Sequence, residues 1–569
     1  MFMMKRPISR LLLLASSAGL AACATTPRMA GPVAAAIPVA AAIPVEIQIL
    51  GLNDFHGNLE TPLDPVPLRN ADGTVTKIRA GGAAQLSATL KRLRTGQTSV
   101  TVAAGDLIGA TPLVSAYFLD EPTIKALSMA GLDYAAVGNH EFDKGGAELR
   151  RMQDGGCQKL TSRAPCAVEP HAPSGFRYLA ANVLTDSGST FFPGTAIRQM
   201  GPIKVGLIGM TLKETGTLVT PAGVAGLTFA DEAASANALV PQLKAQGADA
   251  IVLLIHQGGR VPPIYNALGC EGLSGEIVPI LGKLDPAIRV VVSGHSHHAY
   301  TCEVEANGAP RLLTSAGKNG YLVSDIRLRF DPATRQVLSA RAQNVPALAE
   351  RDPVVQALVD RYVAAARPAS ERIVGRLARP ALKDPDDSDS SVGELIADAQ
   401  LAATRAPDRG GAQIAFINGG GVRTDLMPRA DGSVTYGQIF ALQPFGNNLV
   451  VKTLNGAQLK AVLEQGFRIT NGKVQLRSPL IPSAAFDWRY DLSRPEGLRI
   501  TDMRLYGRPI DPAARYRVTI NNFLASGGDG YSLFAQGTDA FDAGLDLDAL
   551  EAWLKTNPSV PEGRRISGG

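Results

Sequence analysis

The sequence predicts an α/β layered fold, and three observations predict it. Five apolar, β-rich runs in the first 300 residues each break off into a polar turn that contains glycine. Between them lie helix-like stretches such as GGAAQLSATLKRL and ADEAASANALVPQLKAQG, and strands alternating with helices make a sheet covered by helices. Finally, 569 residues at 45% apolar composition are globular but too many for one core, so two domains or more are expected.

In chain order, residues 1–22 start with MFMMKRPISR, continue into LLLLASSAGL and end in small residues. A basic start and an apolar run of about a dozen residues make a secretory signal, and the run is too short to span a bilayer as a helix. Leu20-Ala21-Ala22-Cys23 resembles a bacterial lipobox, which implies lipidation of Cys23. Ala24 after it favours the outer membrane, facing the periplasm or the cell surface. Residues 23–45 are rich in Ala and Pro, with AAAIPV twice in tandem. The prolines block a helix there, so the stretch reads as a tether.

Lys5, Arg6 and Arg10 account for three of the four net positive charges. The mature chain is therefore near neutral and has no global field for a nucleic acid polymer. Setting Cys23 aside leaves Cys157, Cys166, Cys270 and Cys302, an even count that suggests two disulfides in an exported protein. Three pairings are possible; proximity in sequence favours Cys157 with Cys166 and Cys270 with Cys302.

The five strand-like runs carry the chemistry. Residues 45–52 run into NDFHG, with Asp54 and His56; residues 99–104 run into GDLIG, with Asp106. Residues 134–137 run into GNHEFD, with Asn139, His140 and Asp143. Residues 251–255 run into HQGG, with His256, and residues 289–292 into SGHSHH, with His295 and His297. Side chains at the carboxyl ends of adjacent strands converge on one rim, where α/β proteins place their sites. Singly, each turn reads as a strand end with a polar residue. Jointly they exceed that reading, because five of only seven histidines fall in these turns. His171 and His298 are left over and are read as surface residues.

Two Asp, one Asn and four His supply mixed O and N ligands for two divalent ions, suited to Mn, Zn, Co or Fe. A carboxylate shared between them would bridge ions roughly 3.5–4 Å apart, and a water between two cations becomes a nucleophile toward phosphorus. His140 precedes Asp143 by three residues, so the carboxylate is placed to orient the imidazole.

This set of motifs resembles the calcineurin-like metallophosphoesterases in their 5′-nucleotidase branch. The resemblance implies a four-layer α/β/β/α sandwich over residues 46–348, a linking helix over 349–372, and an α+β nucleotide-binding domain over 373–569. It also implies that Asp54, His56, Asp106 and His297 hold one metal and that Asp106, Asn139, His256 and His295 hold the other. His140 and Asp143 match the family's catalytic dyad.

Three motifs of the second half resemble the family's C-terminal domain. INGGGVR holds Arg423, a fixed fork of donors for phosphate. QPFGNN holds Phe445 and Asn447, and NNFLASGGDGYSLF holds Phe523 and Asp529. The resemblance implies that the two aromatics sandwich the base, Asn447 touches the base and Asp529 holds the ribose. Where some family members carry phosphate-binding arginines, this chain has acidic KDPDDSDS with only Lys383 nearby.

The expectation is an exported, membrane-tethered, monomeric two-metal phosphohydrolase. It would act on nucleoside 5′-monophosphates and also on UDP-sugars, through metal-activated hydroxide attack on phosphorus. A 2′,3′-cyclic-nucleotide phosphodiesterase with 3′-nucleotidase activity is the alternative on the same metal site. A non-catalytic nucleotide-binding lipoprotein is the alternative of another class, but such a binder has no need of a ligand set and a dyad.

Overall fold

The computed structural model describes residues 43–569, apart from Ser162, Pro263, Ala349, 384–389, Asn471, Gly472, Ser478 and Gly569. The signal, Cys23, nearly all of the tether and most of the acidic stretch therefore lie outside the described residues.

Two six-stranded sheets form the centre of the N-terminal half. The first runs in the order Val337–Pro346, Leu322–Phe330, Val45–Leu52, Ser99–Ala104, Tyr134–Ala136, Arg177–Leu179. Its last four strands are mutually parallel, whereas Leu322–Phe330 pairs antiparallel with both of its neighbours. The second sheet runs Ala299–Ala306, Ala309–Ala316, Ile288–Ser293, Ala250–His256, Ile203–Thr211, Thr195–Met200, with antiparallel edges around a parallel centre.

Both faces of each sheet are covered, which is why the strands read as continuous apolar runs. Ile47, Ile49, Val100 and Val102 point between the sheets and meet Val252, Leu254, Val290 and Val292. Leu50, Leu52 and Ala103 point the other way, against Leu86 and Leu90 of helix Ala83–Arg94 and Ile124 and Leu127 of helix Glu121–Met129. Helices Glu232–Ala245 and Ile277–Leu281 cover the second sheet through Val240, Leu243 and Leu281. The result is the four-layer α/β/β/α sandwich.

Helix Pro353–Ser370 has Asp352 as its N-cap, accepting from the Val354 N–H at 3.1 Å, and Pro353 in its first turn. Val355, Leu358, Val359 and Tyr362 bury one stripe of it in the core beneath the first sheet, and Tyr362 stacks edge-on against Phe118. Beyond it, a five-stranded sheet runs Leu480–Pro482, Ile414–Asn418, Arg515–Asn521, Asn448–Asn455, Thr538–Leu545. Phe416, Trp488, Leu395 and Ile396 lie in its core. Leu113 and Ala116, from the N-terminal half, are buried in that same core, so the two halves share packing.

Candidate active site

Five strands from both sheets end at one rim. The loop after Val45–Leu52 is laced to the loop after Ser99–Ala104: the Asp54 N–H donates to the Gly105 carbonyl and the His56 N–H to the Asp106 carbonyl, each at 3.0 Å. Lacing turns this tightly needs unusual backbone. Asp54, His56, Asp106, His295 and His297 all take left-handed φ, between 46° and 67°, a conformation that costs non-glycine residues of order 1 kcal/mol or more each. Strain of this kind gathers at functional sites, where packing forces it. Gly138 shows the crowding: a Cβ there would lie 2.1 Å from Asp106 Oδ1.

The rim holds two groups of donors. Asp54, His56 and His297 form one; Asp106, His256 and His295 form the other. Asp106 stands between them, with its Oδ2 3.0 Å from His256 Nε2 and 3.7 Å from His56 Nε2. Asn139 joins the second group, its Oδ1 3.2 Å from His256 Nε2. All seven residues inferred as ligands thus meet at one place.

Two of the four imidazoles, His56 and His295, are held in the neutral form that binds cations. Burial, opposed by the His256 charge and helped by Asp106, raises Asp54 to about 7. Burial lowers His56 and His295 to about 3, keeping those imidazoles neutral. His256 is raised instead, to about 9; burial opposes this, but Asp106 outweighs it. Neutral imidazoles and ionised carboxylates are the forms that ligate metal. The donor set therefore fits two divalent ions of the imidazole-loving kind.

Outside the ligands, His140 Nδ1 lies 2.8 Å from Asp143 Oδ2. Burial opposes protonation of His140, yet Asp143 and Asp106 together raise it above the usual histidine range. Between them in sequence sits Glu141, which the motif reading passed over. It is 2% exposed and accepts the N–H groups of Asp106 (2.9 Å), Leu107 (2.8 Å) and Gly138 (2.6 Å). One carboxylate thus fixes the turn of the bridging Asp106 to the turn of Asn139 and His140. An acid directly after a strand end, in a motif otherwise spoken for, was the available signal.

A cavity of about 190 Å³ opens from this rim. Asn139, His140, Asp143 and His295 line it on one side, and Arg423, Phe445, Asn447, Phe523 and Asp529 on the other. All five residues inferred for the clamp therefore share a single space. Asn418 Nδ2 donates to Asp529 Oδ2 at 2.6 Å, and Asn521 Nδ2 donates to Asn418 Oδ1 at 3.2 Å, which fixes the direction of that carboxylate. Gly528 lies under the Phe523 ring, where a Cβ would come within 2.5 Å of it. Leu218, Val219 and Thr220 also line the cavity. Nothing local in sequence marks them, because only the meeting of the two halves places them there.

Three expectations need correction or refinement. Cys157 and Cys166 are disulfide-bonded, but Cys270 and Cys302 are free thiols; the bridge between Gly269 and Thr301 brings them side by side without joining them. His171 is not a surface residue: it is 8% exposed and its Nε2 lies 3.2 Å from the Met152 carbonyl. His298 is half-buried, with its Nδ1 2.9 Å from the Val261 carbonyl.

Comparison with known proteins agrees with this geometry. The calcineurin-like phosphoesterase family model matches residues 47–299, and the 5′-nucleotidase C-terminal domain model matches residues 370–536. A cell wall protein of Listeria monocytogenes is 30% identical over 91% of this chain and 69% of its own length. An endonuclease of Bacillus subtilis is 28% identical over 90% of this chain, which spans only 40% of that protein. The solved structure of a 5′-nucleotidase precursor from Thermus thermophilus superposes with a TM-score of 0.74 at 26% identity, covering 92% of this chain and 99% of that one. Fold and site together define a calcineurin-like phosphoesterase, a metal-dependent phosphoester hydrolase. By its second domain and its relatives, the chain belongs to the 5′-nucleotidase family.

Proposed function

We propose that the protein hydrolyses the phosphomonoester of nucleoside 5′-monophosphates, with UDP-sugars as further substrates. One observation carries the reading: a single cavity has the dyad and ligand groups on one wall and the two aromatics with Asp529 on the other. A nucleoside held between Phe445 and Phe523 by stacking, with its sugar hydroxyls donating to Asp529, presents its 5′ substituent to the rim. Arg423 meets the phosphoryl oxygens with paired N–H donors. His140, held by Asp143, is placed to stabilise the phosphoryl charge or protonate the departing 5′ oxygen. Two divalent ions bound by Asp54, His56, Asp106, Asn139, His256, His295 and His297 would supply Lewis acidity and lower the pKa of water between them.

Assays with AMP, UDP-glucose and 2′,3′-cyclic AMP test this directly. Hydrolysis of AMP that is lost in Asp106→Ala supports it; turnover of the cyclic substrate alone, or undiminished turnover by the variant, sinks it. We further propose that the enzyme is an exported monomer, anchored through lipidated Cys23 to the outer membrane. The leader and LAAC motif support this reading, and Cys23→Ala should move the activity from the membrane fraction to the soluble one.

A further inference from the structure

The ligand loops and the dyad meet at Gly109. Its carbonyl can only accept, so the His56 Nδ1–H donates to it at 2.9 Å, which leaves Nε2 of that imidazole for a cation. The rest of Gly109 lies against the dyad. A Cβ there would come within 2.6 Å of the His140 carbonyl and 2.7 Å of Asp143 Oδ2. A shift of this loop therefore turns a metal ligand and disturbs His140 and Asp143 together.

Asp120 holds the loop in place. Its Oδ1 accepts from Thr111 Oγ1 at 2.7 Å and from Ser115 Oγ at 2.9 Å, and its Oδ2 accepts from Lys144 Nζ at 2.7 Å. Thr111 packs on the turn after His56, since a Cβ on Gly57 would lie 2.5 Å from Thr111 Cγ2. Ser115 belongs to helix Leu113–Ala116, whose Leu113 and Ala116 are buried in the C-terminal core. Lys144 directly follows Asp143 in the chain. One carboxylate thus ties together the loop that orients His56, a helix seated in the second half and the segment that carries the dyad.

The pair is built to persist. Asp120 is fully buried and the Lys144 side chain is half-buried. Burial opposes charge on both, yet Lys144 draws Asp120 below the usual carboxylate range and Asp120 raises Lys144 above the usual lysine range. Removing one partner of such a pair strands the other's charge. Neither residue belongs to the two groups of metal donors or lines the cavity, so any effect on hydrolysis passes through the groups they hold.

We propose that Lys144 is a positioning residue for phosphoester hydrolysis: through Asp120 it clamps the 109–111 loop between His56 and the His140–Asp143 pair, and so sets a metal ligand and the dyad with one ion pair. The metal half of this assignment rests on the ligand set alone, and the dyad half rests on the mechanism proposed above. Small displacements of this kind cost rate rather than binding, because the reacting groups lose their alignment while the nucleoside contacts stay intact.

The test compares metal-loaded wild type, Lys144→Met and Lys144→Arg on p-nitrophenyl phosphate and AMP. In Lys144→Met, kcat should fall about tenfold on both substrates while KM changes less than about twofold, and Lys144→Arg should restore most of the loss. Chelator competition should strip one ion from Lys144→Met about tenfold more readily, a readout independent of turnover. Should Lys144→Met not fold, Asp120→Asn breaks the same ion pair and keeps an acceptor for Thr111 and Ser115. Unchanged kcat and metal retention overturn the assignment. So does a loss of activity that matches the loss of folded protein, with retention per folded chain unaltered. Wild type that cleaves p-nitrophenyl phosphate but not AMP sinks the nucleotidase reading, while the same comparison on p-nitrophenyl phosphate and metal still decides the role of Lys144.

Discussion

The imidazole of His140 stacks on the Phe445 ring across the junction of the two halves, with centroids 5.9 Å apart and planes 16° from parallel. The Arg423 guanidinium lies over the same ring at 5.7 Å. Phe445 therefore touches His140 and Arg423, the proposed dyad member and phosphate partner, and lines the cavity proposed to take the base. Removing it should hurt nucleotides more than substrates without a base. We expect Phe445→Ala to raise KM for AMP about tenfold, the worth of one stacked base. KM for p-nitrophenyl phosphate should rise far less. An equal rise on both would mean that Phe445 serves His140 alone.

The pH profile follows from the dyad. Asp143 and Asp106 raise His140 against the lowering effect of burial, so the protonated form persists to higher pH than in a free imidazole. In Asp143→Asn one raising charge is gone while burial remains, and the proton is lost at lower pH. The alkaline limb of kcat for AMP should therefore move toward acid in the variant, with a reduced plateau. A limb that stays in place would assign it to another group.

Glu141 carries a prediction about metal rather than about chemistry. Its carboxylate accepts three backbone N–H groups from two turns. Glu141→Gln keeps the volume but turns an N–H₂ group toward backbone donors. Supports of this kind are worth roughly 10–100-fold in metal affinity. Chelator competition should show weaker retention of one ion in Glu141→Gln, and added metal should recover part of the lost kcat. Unaltered retention together with full activity would show that the turns hold without it.

Legibility from sequence followed locality. The seven candidate ligands, which the structure brings to one rim, could be read because each sits at or soon after a strand end and because histidine is rare enough for clustering to count. The left-handed backbone of five of them could not be read, since Asp54 and His297 reveal it only through the turns they occupy. Leu218–Thr220 gave no sign at all, because packing between distant segments puts them at the site. Neighbouring cysteines pointed correctly to the closeness of Cys270 and Cys302 but could not tell a thiol pair from a bond. His171, left over from the turn motifs, reads as a surface residue, whereas helix Gly146–Asp154 and the Cys157–Cys166 loop cover it.

Lys452 gives the sharpest separation of clamp from chemistry. It lies on strand Asn448–Asn455 and is only 8% exposed. Among the described residues no carboxylate takes its charge; its Nζ donates to the Ala525 carbonyl (3.3 Å), the Phe534 carbonyl (2.8 Å) and the Ala535 carbonyl (3.3 Å). Ala525 lies two residues after Phe523, and the three carbonyls bracket the segment that carries Asp529, so one buried ammonium pins both ends of that loop. Replacing it with methionine keeps the stem but leaves three carbonyls without their donor, at roughly 1–3 kcal/mol for an unsatisfied buried group. Lys452→Met should raise KM for AMP about tenfold while the metal rim keeps its geometry. Hydrolysis of p-nitrophenyl phosphate, which needs no nucleoside clamp, should change less than twofold, and a general loss of folding would lower both together. Parallel loss on the two substrates would therefore refute a role confined to the clamp.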